Sequence, residues 1–276
     1  MTSKTSTGNH TTNAEKPFIV SLSGKGGVGK TTLTALILDE LARKGFPGPV
    51  LAVDGDPAMT LHLALGLPTP PATVADIRDD TALDAKTVRN LPVGITPADY
   101  VAQQLTAAGV LRRVSLRQMP LDFLSMGRRE GHGCYCSINK ALTTVLNDIL
   151  GRYPLVVIDN EAGLEHLNRY RLHRVDYFLT VATPARPAIA VAQNIHATAR
   201  QVGMDIAADG LLLNRVNGIR PQIDDNTEVV SVLPDDRLLF DMEIGGYPIV
   251  GLPDSHPLRR ALSAVIDHIL ENVTRS

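Results

Sequence analysis

Short apolar runs alternate with longer segments of helical spacing along most of this chain. A short apolar run is typical of a buried strand, and apolar residues at every third or fourth position indicate a helix. Seven runs predict strands, at residues 18–22, 50–53, 121–126, 155–158, 177–182, 211–213 and 229–233. Four segments predict the main helices, at residues 33–41, 139–151, 186–202 and 258–273. The alternation predicts an α/β fold with a mostly parallel sheet flanked by helices on both faces.

The chain divides into a polar start and one folded unit. Residues 1–16 contain almost nothing apolar, so burial cannot offset the entropy lost on ordering them, and they predict a disordered tail. Residues 17–276 are long enough to bury one large core and predict a single domain. A further helix is predicted after the cap residue Thr96, with Pro97 in its first turn and its end at Gly109. The sequence predicts no role for residues 73–117.

The composition excludes several classes of protein. The 27 basic and 29 acidic residues nearly cancel, and no basic block indicates nucleic acid as the main partner. No apolar run reaches transmembrane length and no signal-peptide pattern opens the chain, so we expect a cytoplasmic protein without a membrane partner. The two cysteines form one C-x-C pair, which cannot be a disulfide framework and fits a reducing compartment.

A glycine-rich segment, SGKGGVGKTT at residues 23–32, lies between the first predicted strand and the first predicted helix. Its G-x-x-x-x-G-K-T spacing fits a P-loop, in which backbone N–H groups and a helix N-terminus face phosphate oxygens. Lys30 would bridge the β- and γ-phosphates, the Thr31 hydroxyl would bind Mg²⁺, and Thr32 would support the α-phosphate. The alternative is a glycine-rich turn without a ligand. The predicted cradle for ATP or ADP consists of Gly24, Lys25, Gly26, Gly27, Val28, Gly29, Lys30, Thr31 and Thr32.

Acidic residues follow two of the predicted strands. Asp54 and Asp56 come directly after the strand at 50–53, and Asp159 comes directly after the strand at 155–158. Ligands bind at the carboxyl ends of parallel strands, so we expect these carboxylates beside the cradle, with Asp159 reaching Mg²⁺ through water as a Walker B acid. Alternatively, Asp54 and Asp56 only cap the short helix that begins near Ala58.

Both cysteines lie in one polar loop at residues 127–137. Free cysteines are usually small buried hydrophobes, but Cys134 and Cys136 stand among glycines, arginines and a histidine. One C-x-C pair supplies two thiolates, half of a tetrahedral set, and a two-fold axis would supply the other half. Sulfur ligands select Zn²⁺, Ni²⁺, Cu⁺ or an iron–sulfur cluster. A redox-active or inert thiol pair is the alternative, and His132 is either a further ligand or a solvated residue.

Lys25 makes the glycine-rich segment resemble the deviant P-loop KGGVGKT of the family that includes the MinD and ParA ATPases and the nitrogenase iron protein. The resemblance implies an Mg²⁺-dependent ATPase that forms a homodimer, with Lys25 reaching the nucleotide of the partner subunit. It implies that Asp56 orients the attacking water and that Asp54 supports the Mg²⁺ shell. The segment from Asp159 keeps the family's D-x-x-A-G form, in which Gly163 would sense the γ-phosphate.

The resemblance also extends to two strand ends nearer the C-terminus. In relatives an asparagine at the position of Asn214 reads the edge of adenine, because an amide offers both a donor and an acceptor. Arg215 follows it. Pro234 and Asp235 stand where the family closes over the base. The alternative is that these are ordinary polar residues at strand ends.

Three segments together, KGGVGKTT, GHGCYCSIN and DNEAGLEHLNR, resemble the CooC-type branch of this family, the maturation factors of nickel carbon monoxide dehydrogenase. The resemblance implies a nucleotide-gated homodimer that binds Ni²⁺ or Zn²⁺ at Cys134 and Cys136 and supports nickel insertion into that dehydrogenase as its client. An iron–sulfur scaffold or carrier and a partitioning or positioning ATPase are the alternatives. A reductase like the nitrogenase iron protein fits less well, because its cluster cysteines lie far apart in the chain.

Overall fold

In the computed structural model, the described residues are 16–79, 90–128, 136–161, 174–218, 221–224 and 227–273, excepting the side chains of 136–139. They contain one sheet of eight strands in the order β3-β4-β2-β5-β1-β6-β7-β8. All neighbouring strands are parallel except β3 and β4. The strands are β1 Phe18–Gly24, β2 Val50–Asp54, β3 Leu111–Leu116, β4 Met119–Ser125, β5 Leu155–Asp159, β6 Arg174–Ala182, β7 Asp205–Val216 and β8 Val229–Pro234.

Helices connect the strands and cover both faces of the sheet. They are α1 Lys30–Arg43, α2 Leu61–Ala64, α3 Val74–Asp79, α4 Pro97–Ala107, α5 Cys136–Leu150, α6 Arg186–Gln201, α7 Arg237–Gly245, α8 Pro257–Ala261 and α9 Ser263–Val273, with a 3₁₀ turn at Ile249–Gly251. One core lies between the sheet and α1, α8 and α9. The other lies between the sheet and α4, α5 and the C-terminal half of α6. The predicted α/β class is therefore confirmed.

The seven predicted strands are all present, and several helix ends differ from the prediction. The predicted helix at 139–151 begins earlier, at Cys136, and the short helix expected near Ala58 begins at Leu61. The predicted helix at 258–273 is interrupted at Leu262, between α8 and α9. The Thr96 cap is confirmed, because its hydroxyl accepts from the Asp99 N–H while the Asp99 carboxylate accepts from the Thr96 N–H. The polar segment 1–15 lies outside the described residues.

The sequence did not predict the edge strand β3, which forms an antiparallel hairpin with β4. The turn contains Arg117 at φ 54° and lacks the glycine or asparagine that usually indicates a hairpin. The Arg117 guanidinium donates to Asp39, a fully buried residue of α1, with an Nε–Oδ1 distance of 2.7 Å. A contact between residues distant in sequence thus fixes this turn.

A buried ionic cluster joins α1 to α8 beneath the sheet. Arg259 is 2% exposed and its Nη1 lies 2.7 Å from Asp39 Oδ2 and within hydrogen-bonding distance of Glu40 Oε1. Its remaining donors bond backbone carbonyls, with Nε at 3.0 Å from the Pro253 oxygen and Nη2 at 2.6 Å from the Leu252 oxygen. The helix that follows the glycine-rich loop is therefore anchored at its far end by a charge cluster that the sequence did not indicate.

Candidate functional site

The glycine-rich loop leaves β1 in the middle of the sheet, between β5 and β6. Gly24 has φ 153°, and a Cβ at this position would lie 2.4 Å from the carbonyl oxygen of Val181 on β6. Gly29 has φ 97°, and a Cβ there would lie 2.5 Å from Nδ2 of Asn214 on β7. Only glycine fits both the backbone angles and the close neighbours at these two positions. The loop then leads directly into α1, whose N-terminal N–H groups face the same region.

The two lysines of the loop occupy different environments. Lys30 is 5% exposed, and its Nζ lies 3.4 Å from the carbonyl oxygen of Lys25. Lys25 itself is exposed. The ammonium of Lys30 is therefore held inside the curve of the loop, whereas Lys25 is free to extend away from it.

Thr32 makes a contact that the sequence did not predict. Its hydroxyl donates to Glu243 Oε1 of α7 at 2.8 Å, and the other Glu243 oxygen lies 3.6 Å from the Arg215 guanidinium. Helix α7 is thus attached to the start of α1. No sequence signal could have identified Glu243, because it lies 211 residues from Thr32 in an ordinary amphipathic helix.

Two carboxylates stand side by side at the carboxyl edge of the sheet. Asp54 on β2 and Asp159 on β5 are register partners, and both are fully buried. The Thr31 hydroxyl donates to Asp159 Oδ2 at 2.6 Å, and the Thr34 hydroxyl donates to Oδ1 at 3.4 Å. Asp54 also accepts from the N–H of Leu61, the first residue of α2, at 3.1 Å. It therefore caps this helix, as the alternative prediction had it, and also pairs with Asp159.

Burial changes the acidity of this pair. Burial, with the nearby charge of Asp159 as a smaller contribution, raises the pKa of Asp54 to about 7. Burial also raises the pKa of Asp159 to about 6, although the hydrogen bond from Thr31 and the charge of Lys30 limit the rise. The ionised forms are thus disfavoured in the free protein, and a cation at this edge of the sheet would stabilise them.

Replacing Asp54 with asparagine should change how the stability of the metal-free protein depends on pH. Because the folded-state pKa lies above the ordinary value near 3.8, ionisation lowers the free energy of unfolding progressively between about pH 4 and pH 7. Asp54→Asn removes this loss. The melting temperature of the variant in EDTA, relative to that of the unchanged chain, should therefore increase as the pH rises from 5 to 8. Calorimetry across this range measures the difference, with Asp241→Asn, an exposed carboxylate on α7, as control. If the melting temperatures of Asp54→Asn and the unchanged chain depend on pH in the same way, the pKa of Asp54 is not raised.

Asp56 and Asn160 lie next to the two carboxylates. The Asp56 side chain accepts from the Ala58 N–H at 2.8 Å and is partly exposed. The Gly55 N–H donates to the carbonyl oxygen of Asp159 at 2.8 Å, which ties this segment to β5. Asn160 is buried and donates from Nδ2 to the Ser21 hydroxyl at 2.7 Å. The predicted sensor Gly163 lies outside the described residues.

The four residues predicted at the adenine come together at the ends of β7 and β8. Nδ2 of the buried Asn214 donates to the Val28 carbonyl at 2.8 Å, so its amide nitrogen holds the glycine-rich loop. Arg215 has φ 58° and lies 3.4 Å from the Gly27 carbonyl through Nη1. Pro234 ends β8, and the Asp235 N–H donates to Val216 at 3.1 Å. These residues therefore border the loop, with Asn214 supporting its shape.

The donor set at this edge fits magnesium. Mg²⁺ prefers oxygen ligands and takes few from the protein, because phosphates and water complete its octahedron. The Thr31 hydroxyl and the Asp159 carboxylate are already joined at the first turn of α1, and Asp54 lies beside them. Hydroxyl and carboxylate oxygens beside a buried lysine are the groups that a magnesium–phosphate complex requires.

The predicted metal ligands Cys134 and Cys136 lie at the border of the described residues. Cys134 lies outside the described residues, and only the backbone of Cys136, the first residue of α5, is described. Within the described ranges, no group of three or more histidine, cysteine, aspartate or glutamate residues is arranged to hold a metal ion. His132 also lies outside these ranges.

The start of the cysteine loop is attached to the segment after β2. The Met126 N–H donates to the Asp54 carbonyl at 2.8 Å, and Arg128 Nε donates to the Pro57 carbonyl at 3.2 Å. Gly127 has φ 76°, and a Cβ there would lie 2.2 Å from Thr73 Oγ1. The segment that leads to the cysteines therefore begins in direct contact with Asp54 at the end of β2 and with Pro57 in the turn that holds Asp56. The prediction of both cysteines in one loop is corrected, because Cys136 is the first residue of α5.

Comparison with known sequences identifies the family. Residues 19–248 match the family described as CobQ/CobB/MinD/ParA nucleotide binding domain. An uncharacterized ATP-binding protein of Methanocaldococcus jannaschii is 30% identical over 260 residues, which cover 92% of this chain and 98% of the relative. The carbon monoxide dehydrogenase accessory protein CooC of Rhodospirillum rubrum is 28% identical over 197 residues, or 67% of this chain and 70% of the relative.

Comparison with solved structures identifies the same fold. The septum site-determining protein MinD of Pyrococcus horikoshii, complexed with Mg-ADP, superposes with a TM-score of 0.59 at 22% identity, covering 92% of this chain and 96% of that one. At this identity the likeness establishes the fold alone. In the part of the chain that the structure describes, each helix is too short or too polar to cross a membrane.

Proposed function

The chain belongs to the CobQ/CobB/MinD/ParA family of nucleotide-binding domains, and from this premise we propose that it is an ATPase whose nucleotide state controls a metal-binding loop. The membership and the fold make it an ATPase of the MinD/ParA type. The proposal adds that the cysteine loop binds Ni²⁺ or Zn²⁺ and that hydrolysis at the P-loop drives a change in that loop. The single observation that carries it is the hydrogen-bonded contact between the start of the loop and the segment that holds Asp54 and Asp56.

Each residue of the phosphate site has a proposed role. Lys30, held inside the loop, would stabilise the charge that develops on the transferred phosphoryl group. Thr31 and Asp159 would hold Mg²⁺, which neutralises phosphate charge when bound, with Asp54 supporting them. Asp56 would orient the attacking water.

The nucleotide would lie across the loop and the ends of β7 and β8. Asn214, Arg215, Pro234 and Asp235 would border its base, and the remaining amide oxygen of Asn214 would accept from the adenine amino group. The MinD of Pyrococcus horikoshii was solved with Mg-ADP, which supports the same ligand here. Loss of the γ-phosphate would then release Asp56 and, through Pro57 and Arg128, the cysteine loop.

The metal proposal rests on the cysteine pair and on one relative. Cys134 and Cys136 supply two thiolates, and the resembling sequence is that of a carbon monoxide dehydrogenase accessory protein. We therefore propose a homodimer with one ion between the two loops and nickel carbon monoxide dehydrogenase as the client. An iron–sulfur cluster in place of the ion is the alternative for the same ligands.

Metal analysis of the purified dimer tests this function. Two thiolates leave a tetrahedral ion half open, so we expect one Ni²⁺ or Zn²⁺ per two chains, bound only by the dimer. Cys134→Ser and Cys136→Ser should each abolish binding while ADP affinity stays unchanged. Elemental analysis with size-exclusion chromatography measures both quantities, and Ser137→Ala provides a control in the same segment.

Other stoichiometries would contradict the shared site. One ion per chain on a monomer would mean that His132 or another local group completes the coordination. Brown colour and visible absorbance after anaerobic purification would indicate an iron–sulfur cluster instead. If both serine variants retain the metal fully, the cysteines are not its ligands.

Lys25 provides a separate test of the dimer. Its side chain is exposed in the single chain, and the proposed role lies across the interface. Lys25→Ala should keep its melting temperature but lose dimer formation with ATP, measured by light scattering. Lys44→Ala, a lysine beyond the far end of α1, should dimerise normally. If Lys25→Ala dimerises normally with ATP, Lys25 does not act across the dimer interface.

A positioning ATPase is the second candidate, because a surface beside the nucleotide site is suited to a protein partner. Phe240, Ile244 and Tyr247 follow one another along α7 and its end and are 48%, 72% and 68% exposed. Exposed apolar side chains in a row are typical of an interaction surface. Absence of any bound metal in the dimer, together with normal ATPase activity, would favour this candidate.

A further inference from the structure

A third polar residue stands in line with the two buried carboxylates. Ser125 ends β4, and it is the register partner of Asp54 on β2, which pairs in turn with Asp159 on β5. Side chains alternate between the two faces along a strand. The residue two positions earlier on each of these strands belongs to the core beneath α1. Ser125, Asp54 and Asp159 therefore form a row on the face where Thr31 and Thr34 contact Asp159.

The Ser125 hydroxyl is buried without a partner. The residue is 0% exposed, and within the described ranges its Oγ forms no hydrogen bond. A buried hydroxyl without a hydrogen-bond partner lowers the stability of a fold. An apolar group of similar shape at the same place avoids this cost. The hydroxyl therefore contributes nothing to the stability of the metal-free chain, in contrast to the Ser231 hydroxyl, which donates to the Ala261 carbonyl at 2.5 Å.

We propose that Ser125 is a positioning residue for the magnesium site. Ser125 is the register neighbour of Asp54 on the side away from Asp159, and its hydroxyl would donate to the Asp54 carboxylate when the site is occupied. A carboxylate that accepts this bond is fixed in orientation beside Asp159. The partners of metal-binding groups orient them, and their loss commonly weakens metal binding by tenfold or more. The inference rests on the proposed nucleotide site, because it assigns Mg²⁺ to this row.

The test compares stability with metal affinity in the variant Ser125→Ala. Without metal, its melting temperature should equal or exceed that of the unchanged chain, because an unpaired buried hydroxyl has been removed. In the presence of ADP, its affinity for Mn²⁺, a spin probe for the magnesium site, should be about tenfold weaker by electron paramagnetic resonance titration. ADP affinity in EDTA should not change.

Ser231→Ala is the matched control, because it removes a buried but hydrogen-bonded hydroxyl at the opposite edge of the sheet. It should lower the melting temperature and leave Mn²⁺ affinity unchanged. Mn²⁺ affinity in Ser125→Ala equal to that of the unchanged chain would overturn the proposal, and so would a loss of stability like that of Ser231→Ala. If the unchanged chain binds neither ADP nor Mn²⁺, the proposed function itself is wrong and this inference fails with it.

Discussion

Lys30→Ala should lower the rate of ATP hydrolysis by about a hundredfold or more. Lys30 is almost fully buried, and its ammonium lies inside the curve of the glycine-rich loop, 3.4 Å from the Lys25 carbonyl. In the proposed site, a charge held in this position would face the transferring phosphoryl group before the reaction begins, so its removal should raise the barrier. Phosphate release at saturating ATP measures the effect.

The fold should survive this substitution, which makes the result interpretable. Among the described residues the Lys30 side chain donates to one backbone carbonyl, and the buried Asp159, whose charge Lys30 offsets, keeps its hydrogen bonds from Thr31 and Thr34 in this variant. Lys44→Ala serves as a control, because Lys44 forms a surface ion pair with Asp267 and such pairs contribute little. Turnover in Lys30→Ala within a few-fold of the unchanged chain would refute the assignment of the P-loop.

Arg259→Ala should lower the free energy of unfolding by about 3–5 kcal/mol, because it removes the buried cation that Asp39 and Glu40 share and leaves them with the partly exposed Arg117 and Arg43. Asp39 is fully buried and Glu40 is 1% exposed, and both contact the Arg259 guanidinium. The two backbone carbonyls that Arg259 contacts would also lose their donors. For a chain of this size the melting temperature should fall by roughly 6–20 °C, measured by calorimetry.

Arg260→Ala is the matched control for this substitution. Arg260 is the next residue on the same helix, is exposed, and donates to the Ser255 carbonyl at 3.2 Å. Its replacement should change the free energy of unfolding by less than about 1 kcal/mol. A similar loss in both variants would mean that the helix, and not the buried cluster, accounts for the effect.

Protonation of the ionic cluster around Arg259 should also lower the free energy of unfolding at acid pH. Burial alone would raise the pKa of Glu40, but hydrogen bonds from Arg43 and Arg259 outweigh it and hold the pKa below the ordinary value of 4.5. A lowered folded-state pKa contributes stability above the unfolded value, and this contribution is lost as the pH falls below about 4.5. Arg259→Ala should therefore lose less stability than the unchanged chain on acidification.

The local chemistry of the phosphate site was predictable from the sequence. Four glycines, two lysines and two threonines occur within ten consecutive residues between a strand and a helix, and this spacing is typical of a P-loop. The carboxylates were predictable at this edge for a different reason. Parallel strands end at one edge of the sheet, so Asp54 and Asp159 were both expected there, and the strand order, which places β2 next to β5, makes them register partners.

Tertiary structure alone decided the contacts between elements that are distant in the chain. The β3 hairpin depends on Arg117 meeting Asp39, Thr32 bonds Glu243 of α7, and Ser125 lies beside Asp54. Hydrophobic periodicity indicates which face of a helix or strand is buried. It does not indicate which other element packs against that face. The sequence by itself therefore determined seven of the eight strands, the main helices and the glycine-rich loop, whereas packing between distant segments decided the edge strand β3 and which polar groups surround that loop.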